Sequence, residues 1–338
     1  MNLINQPAFE LRIDPVTGRR VLIAEGRAAR PTDFAASSVE QPSARGPVST
    51  CPFCRGNEHQ TPRELAQLND AEGNWQVRVV PNKFPAVLLD APVVVEDSSV
   101  LGRCESALGT HEVIIDSPQH ICDWRDFSLE SLAAVLGIYA ERLRHAYEQL
   151  NLPAAVLFKN VGVLGGASLE HVHSQLMAFP FVPDVLECEL QAASDFIIQQ
   201  GECLFCKIIA DELRHRRRLV HENDHFMAFC AYAGRQPYET CILPIKHASS
   251  FANLAEVTAL AETLQSVIRR VAGILTPPAY NLILHTAPAD DPRSDAFHWH
   301  WELIPRSTSL AGLEWGGGIY INSVSPERAA RTLLEINI

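Results

Sequence analysis

The segment Gly165-Gly166-Ala167-Ser168-Leu169-Glu170-His171-Val172-His173-Ser174-Gln175-Leu176-Met177-Ala178 runs from a pair of glycines into an alternating tail. It follows a strand-like run, Ala154-Ala155-Val156-Leu157-Phe158. Side chains on a strand point to opposite faces in turn, so His171, His173 and Gln175 share one face while Val172, Ser174 and Leu176 take the other. Three polar groups therefore look into one place. A solvated edge strand could carry the same pattern, so the weight falls on what repeats elsewhere.

The chain repeats its own order. The phrase from Glu112 to Pro118 and His120 recurs as Glu239, Pro244 and His247, and His171-Val172-His173 recurs as His298-Trp299-His300, each His at an offset of 127. Both His120 to His171 and His247 to His298 span 51 residues. A helix expected from Ser128 to about Leu150, with Leu129, Leu132, Val135, Leu136, Tyr139, Leu143 and Tyr147 on its buried stripe, answers one expected from about Leu254 to Leu275. The strand at Ala155–Phe158 falls opposite Leu282–His285. Further strands are expected at Phe9–Ile13, Arg20–Ala24, Trp75–Val80 and His111–Asp116, and residues 32–50 read as a surface loop. The fold expected is α/β (α+β), a tandem duplication with domains at 1–190 and 191–338, joined near Val182 to Gln200.

Each copy offers Cys, Cys, His, His in one order. Two thiolates in a Cys-x-x-Cys loop and two imidazoles from elsewhere complete a closed tetrahedral zinc shell. Cys51, Cys54, His120 and His171 form one such set, and Cys203, Cys206, His247 and His298 the other. Buried reduced thiols and core histidines are the plain alternative, which the matched spacing disfavours. A shell filled by four protein ligands is structural and brings no water to reaction. Cys104, Cys122, Cys188, Cys230 and Cys241 have no partner at ligand spacing, and His285 could approach the second metal or simply pack.

A chain of 338 residues with 47% apolar and 20% charged residues is a globular protein of two-domain length. Its formal charge of -12 argues against a nucleic-acid binder or an anionic-membrane partner. A cytoplasmic location is the expectation, since no signal-peptide order or membrane-length apolar run stands out. The dense basic run Arg214–Arg218 reads as a solvated loop or hairpin.

With His171 tied to metal, His173 is the free imidazole beside it. A neutral imidazole can attack phosphorus if its other nitrogen is held by a hydrogen bond. Gln175, Ser168, Asn160 and the Gly165-Gly166 backbone are the nearest donors for phosphate oxygens. His171-Val172-His173-Ser174-Gln175 resembles the motif of the galactose-1-phosphate uridylyltransferase family, a branch of the histidine-triad superfamily, and the likeness runs through nearly the whole chain. That resemblance implies a duplicated histidine-triad-like unit with antiparallel sheets and packed helices. It implies His173 as nucleophile, Asn160 and Ser168 as phosphate contacts, Arg27 and Arg30 as nucleotide-binding arginines, and Asn82 and Phe84 in a base and ribose segment. Glu314 and Asn322 fall where the family binds the hexose, reached from the partner subunit of a homodimer; Glu314 could equally cap a helix. The implied reaction is ping-pong: UDP-glucose plus galactose 1-phosphate gives glucose 1-phosphate plus UDP-galactose.

Val172 and Ser174 stand where many members have Pro and Gly, which marks a divergent branch, and some relatives there transfer adenylyl groups as ADP-sugar phosphorylases. The donor is thus a UDP-sugar or an ADP-sugar. A zinc-stabilised nucleotide-binding module without catalysis is the reading from another class. Trp301 and Glu302 replace Ser174 and Gln175 in the second copy, which places the chemistry in the first. Glu170 points away from the histidines and reads as a surface charge.

Overall fold

Short apolar runs broken by turns give strands here, and longer periodic runs give helices. The computed structural model describes residues 9–29, 50–94, 101 and 104–338. Its first half contains β1 (Phe9–Ile13), β2 (Arg20–Ala24), β3 (Ala66–Asn69), β4 (Trp75–Pro81), β5 (Thr110–Ile115), α1 (Leu129–Glu148), β6 (Ala154–Val161) and β7 (His173–Phe179). After α2 (Asp184–Gln200) come α3 (Leu204–His215), β8 (Leu219–Glu222), β9 (Phe226–Cys230), β10 (Thr240–Pro244), α4 (Val257–Ile274), β11 (Tyr280–His285) and β12 (His300–Pro305). The chain closes with α5 (Gly312–Gly317), β13 (Ile319–Asn322) and α6 (Pro326–Leu334). Arg30 and almost all of the expected loop at 32–50 lie outside the described residues.

The duplication is written into one ten-stranded antiparallel sheet, in the order β3-β4-β5-β7-β6-β11-β12-β10-β9-β8. The second five strands repeat the first five from the centre outward, and the copies meet where β6 pairs with β11, Asn281 opposite Asn160. The residue-190 boundary expected from sequence falls within α2. Register corrects the repeat on one strand. Phe158 lies opposite Gln175, and Ile283, not His285, lies opposite Glu302. The counterpart of Asn160 is therefore His285, and the counterpart of Lys159 is Leu284.

Alternation assigns the two faces. Val77, Val79, Ile114, Leu157 and Leu176 pack with Leu132, Val135, Leu136, Tyr139 and Leu143 of α1 and with the stripe of α4 in one core. Full burial of each such side chain contributes about 1.5–3 kcal/mol. Val80, Val113 and Ile115 face the other way, against Cys51, Phe53 and Cys54. Ser128 caps α1 by accepting from the Ser131 N–H at 3.1 Å. Leu129, expected on the buried stripe, is 38% exposed because it opens the first turn, before the helix reaches the sheet.

A second sheet, β1-β2-β13, ties the two chain ends together, and its β2–β13 pair is parallel. Arg12 of β1 donates to both carboxylate oxygens of Glu327 at 3.1 and 3.0 Å and to the Tyr232 carbonyl. Arg218 reaches the same carboxylate at 3.0 Å and also binds Glu212, so the basic run is not wholly solvated as expected. Burial opposes the charge of Glu327, but Arg12 and Arg218 hold its pKa below the ordinary 4.5. Glu327→Gln is expected to lower stability by about 2 kcal/mol at pH 7, because it leaves two arginines under-paired. A depressed carboxylate stabilises above its unfolded pKa and loses that contribution as pH falls, so the difference should narrow below about pH 4.5 in denaturant titrations.

Candidate active site

The turn from β6 to β7 needs its glycines. Gly162 and Gly166 have φ of 72° and 81°, and a Cβ on Gly162 would sit 2.6 Å from the Pro278 carbonyl oxygen. A Cβ on Gly165 would sit 2.9 Å from the Tyr280 oxygen. Asn281 fastens the turn from the other copy, its amide donating to Asn160 Oδ1 at 2.8 Å and to the Gly165 carbonyl at 2.7 Å. With its oxygen occupied, Asn160 keeps its NH2 group to offer. Ser168 lies exposed in the same turn.

The His173 ring is set by one bond. Its Nδ1–H donates to the His171 carbonyl at 2.8 Å, which leaves the lone pair on Nε2. The residue is 8% exposed, with the Phe53 ring 5.2 Å away. Burial holds its pKa below the ordinary 6.5, so the imidazole is neutral at pH 7.

His171 turns the opposite way. Its Nε2–H donates to the Ser117 carbonyl at 2.8 Å, and its Nδ1 lies 3.4 and 3.5 Å from the thiols of Cys51 and Cys54. His120 Nδ1 is 3.3 Å from Cys54. The donor atoms of Cys51, Cys54, His120 and His171 all lie within 4.8 Å of one another. Two thiols and two ring nitrogens, one ring held by a backbone carbonyl, fit a tetrahedral soft-metal shell.

The second copy repeats the device. His298 Nε2–H donates to the Pro244 carbonyl at 2.9 Å, His247 Nε2–H to the Asp295 carbonyl at 3.0 Å, and Cys203, Cys206, His247 and His298 form a second group within 4.8 Å. His285 does not join it. Its Nδ1 meets Glu189 at 2.8 Å and its ring stacks on His300, in a third group of Glu189, His285, His300 and Glu302 with the composition of a metal shell. Cys122 likewise has neighbours at ligand distance, His120 and Glu170, contrary to the expectation from spacing.

Gln175 is oriented by a residue that the motif does not contain. Ala86 N–H donates to His111 Nδ1 at 3.2 Å, so His111 carries its proton on Nε2 and gives it to Gln175 Oε1 at 2.8 Å. Gln175 keeps its NH2 group free to donate. Asn82 lies 3.0 Å from the same His111 nitrogen, and Phe84, two residues on, is 82% exposed. His111 shares the parity of Val113 and Ile115, which was the available signal. Asn281 and Glu189 gave none, because they arrive from the other copy and from α2.

Not every expected residue gathers here. Arg27 is exposed on a 3-10 turn at Glu25–Ala29, and among the described residues no contact ties it to the histidines. Glu314 accepts from the Ala311 N–H at 2.9 Å and so closes the first turn of α5. Asn322, expected in the hexose-binding segment, is fastened into the fold. It is buried, its amide donates to the Gly234 and Gln236 carbonyls at 2.9 and 3.1 Å, and its oxygen accepts from Val324 N–H, which anchors β13.

Comparison with known proteins follows the same outline. Residues 4–183 match the family described as galactose-1-phosphate uridyl transferase, N-terminal domain, and residues 189–309 match its C-terminal domain. An ADP-glucose phosphorylase of Arabidopsis thaliana is 33% identical over 97% of this chain and 93% of that protein. A galactose-1-phosphate uridylyltransferase of Thermotoga maritima is 27% identical over 98% and 99%. The crystal structure of an Arabidopsis thaliana ADP-glucose phosphorylase with bound ADP-glucose superposes with a TM-score of 0.84 at 30% identity, covering 98% of this chain and all of that one. Among the described residues no helix is long and apolar enough to cross a membrane.

Proposed function

Since the chain belongs to the galactose-1-phosphate uridylyltransferase family of transferases and phosphorylases, we propose that it moves a nucleotidyl group from a nucleotide sugar to a phosphate acceptor through His173. The observation that carries this reading is the His173 ring, with Nδ1–H spent on the His171 carbonyl and the lone pair left on Nε2. That nitrogen attacks the α-phosphorus, the N–P bond forms, and the bond to the bridging oxygen breaks as the sugar 1-phosphate leaves with the electron pair. The acceptor's phosphate oxygen then displaces the imidazole. The NH2 groups of Gln175 and Asn160, the Ser168 hydroxyl and the Gly165-Gly166 backbone donate to oxygens that gain charge on the way. With Gln175 where a third histidine would place a proton donor, water competes poorly for the intermediate.

We assign zinc to both Cys2His2 groups; in the first it would brace the strand start that carries His173, in the second the one that carries His300, and no step passes through either. The division at residue 190 assigns the chemistry to residues 1–190 and a supporting role to residues 191–338. A cytoplasmic homodimer, with the Glu314 segment reaching the partner's sugar, and with Arg27, Arg30, Asn82 and Phe84 at the nucleotide, completes the proposal.

The sequence alone favours UDP-glucose with galactose 1-phosphate. The plant relative named ADP-glucose phosphorylase supports an ADP-sugar with inorganic phosphate as acceptor instead, and this is the reaction we place first; the bacterial relative named uridylyltransferase supports the other. Intact-protein mass after mixing with ADP-glucose or UDP-glucose separates them. An adenylate adduct with ADP-glucose is expected. A uridylate adduct alone would move the assignment to uridylyl transfer, and no adduct with either would leave the non-catalytic binding module.

A further inference from the structure

On the helix side of β7, directly behind the candidate nucleophile, a carboxylate is buried among four donors. Asp116 Oδ2 accepts from Lys159 Nζ at 2.8 Å, Trp124 Nε1 at 3.0 Å and Ser174 Oγ at 3.2 Å. Tyr139 donates to Oδ1 at 3.2 Å. Lys159 is 1% exposed. Its ammonium also donates to the backbone carbonyl of His173 at 2.9 Å and lies 4.9 Å from the Trp124 ring. Burial drives its pKa down, and Asp116 opposes that.

A buried ion pair is a poor source of stability, because apolar residues of similar volume serve as well or better. The second copy shows that this fold accepts such residues here. Trp301 stands in the place of Ser174 and Leu284 in the place of Lys159 by register, and both are buried in the apolar core.

The ladders explain what the charged version does. In the second copy the β11–β12 pairing runs to His285 opposite His300, whereas His173 is paired on its β5 side alone, opposite Ile115. In the first copy the β6–β7 pairing stops at Phe158 opposite Gln175, two residues earlier. The strands part beside His173, and the Lys159 ammonium reaches the carbonyl there.

We propose that Lys159, held by Asp116, is the positioning residue for His173: it binds the His173 carbonyl where β6 and β7 separate, fixing the nucleophile while the gap beside it stays open for phosphates. This rests on the reading of His173 as the nucleophile. A displacement of about 1 Å in such a group costs on the order of 100-fold in rate.

The test compares Lys159→Met, which has no donor, with Lys159→Gln, which keeps one. Lys159→Met/Asp116→Leu removes both charges, in case the single change leaves Asp116 uncompensated and the protein misfolds. Single-turnover adduct formation, KM and Tm are read for each. The two donor-free variants should form adduct on the order of 100-fold more slowly, with KM within about twofold, and Lys159→Gln should recover part of the rate. Adduct formation at the wild-type rate in the folded double variant would overturn the proposal, as would a fall in rate that Lys159→Gln shares in full and that only follows Tm. A wild type that traps no nucleotide sinks the nucleotidyl reading and this one together, whereas a trapping wild type with unaffected variants sinks this one alone.

Discussion

His173→Gly is expected to lower turnover by more than roughly four orders of magnitude and to abolish the trapped adduct, while nucleotide-sugar binding stays within about fivefold of wild type. The loss corresponds to a barrier raised by at least about 5.4 kcal/mol. It is large because the ring supplies the bond that divides one displacement into two. The residue's surroundings make the change clean. His173 contacts the fold through its Nδ1–H and the Phe53 ring, and Lys159 holds its backbone carbonyl, which glycine retains. Isothermal calorimetry with ADP-glucose beside a turnover assay separates binding from chemistry. Affinity that fell in step with rate would mean the imidazole serves binding instead.

The second large effect is expected at the first Cys2His2 group. Cys51→Ser should remove one metal equivalent per chain, lower stability by on the order of 3 kcal/mol or more, and strongly reduce adduct formation. His171 connects these results, since its carbonyl receives the His173 Nδ1–H while its ring faces Cys51 and Cys54. Losing the metal frees the ring and, with it, the carbonyl that sets the His173 tautomer. Cys203→Ser is the control. It should also release one equivalent and cost stability, yet leave adduct formation within a few-fold of wild type, because His298 orients His300 and not His173. Metal analysis, calorimetric melting and single-turnover trapping of both variants check this. Equal losses of adduct in the two would contradict a separate role for the first group.

What the sequence displayed, and what it hid, follow from the physics of strands. Ligand histidines 51 residues apart in both copies and thiols with two residues between them are fixed marks, so Cys51, Cys54, His120 and His171 could be grouped from the sequence. The register of β11 could not. A slip of two residues keeps every side chain on its own face, so apolar alternation reads the same with Phe158 opposite His285 or opposite Ile283. The support of the site was hidden for another reason. Lys159 is a charged residue on β6 and Asp116 one just past the end of β5, which alone suggests solvent, and only the convergence of α1, β6 and β7 makes them a buried pair. His111 was within reach by parity with Val113. The burial of Asn322 was not legible, because a motif position carries no information on burial, and its side chain holds β13 in place.

The most direct measurement is to locate the label after a single turnover with ADP-glucose carrying isotopic phosphorus at the α-position. One acid-labile, base-stable phosphoramidate per chain is expected, on the peptide that contains His173 and at Nε2 of that ring, formed without an acceptor and discharged to ADP by added phosphate. Label on any other residue, or turnover to glucose 1-phosphate with no labelled protein at a rate fast enough to have been trapped, would contradict His173 as the nucleophile.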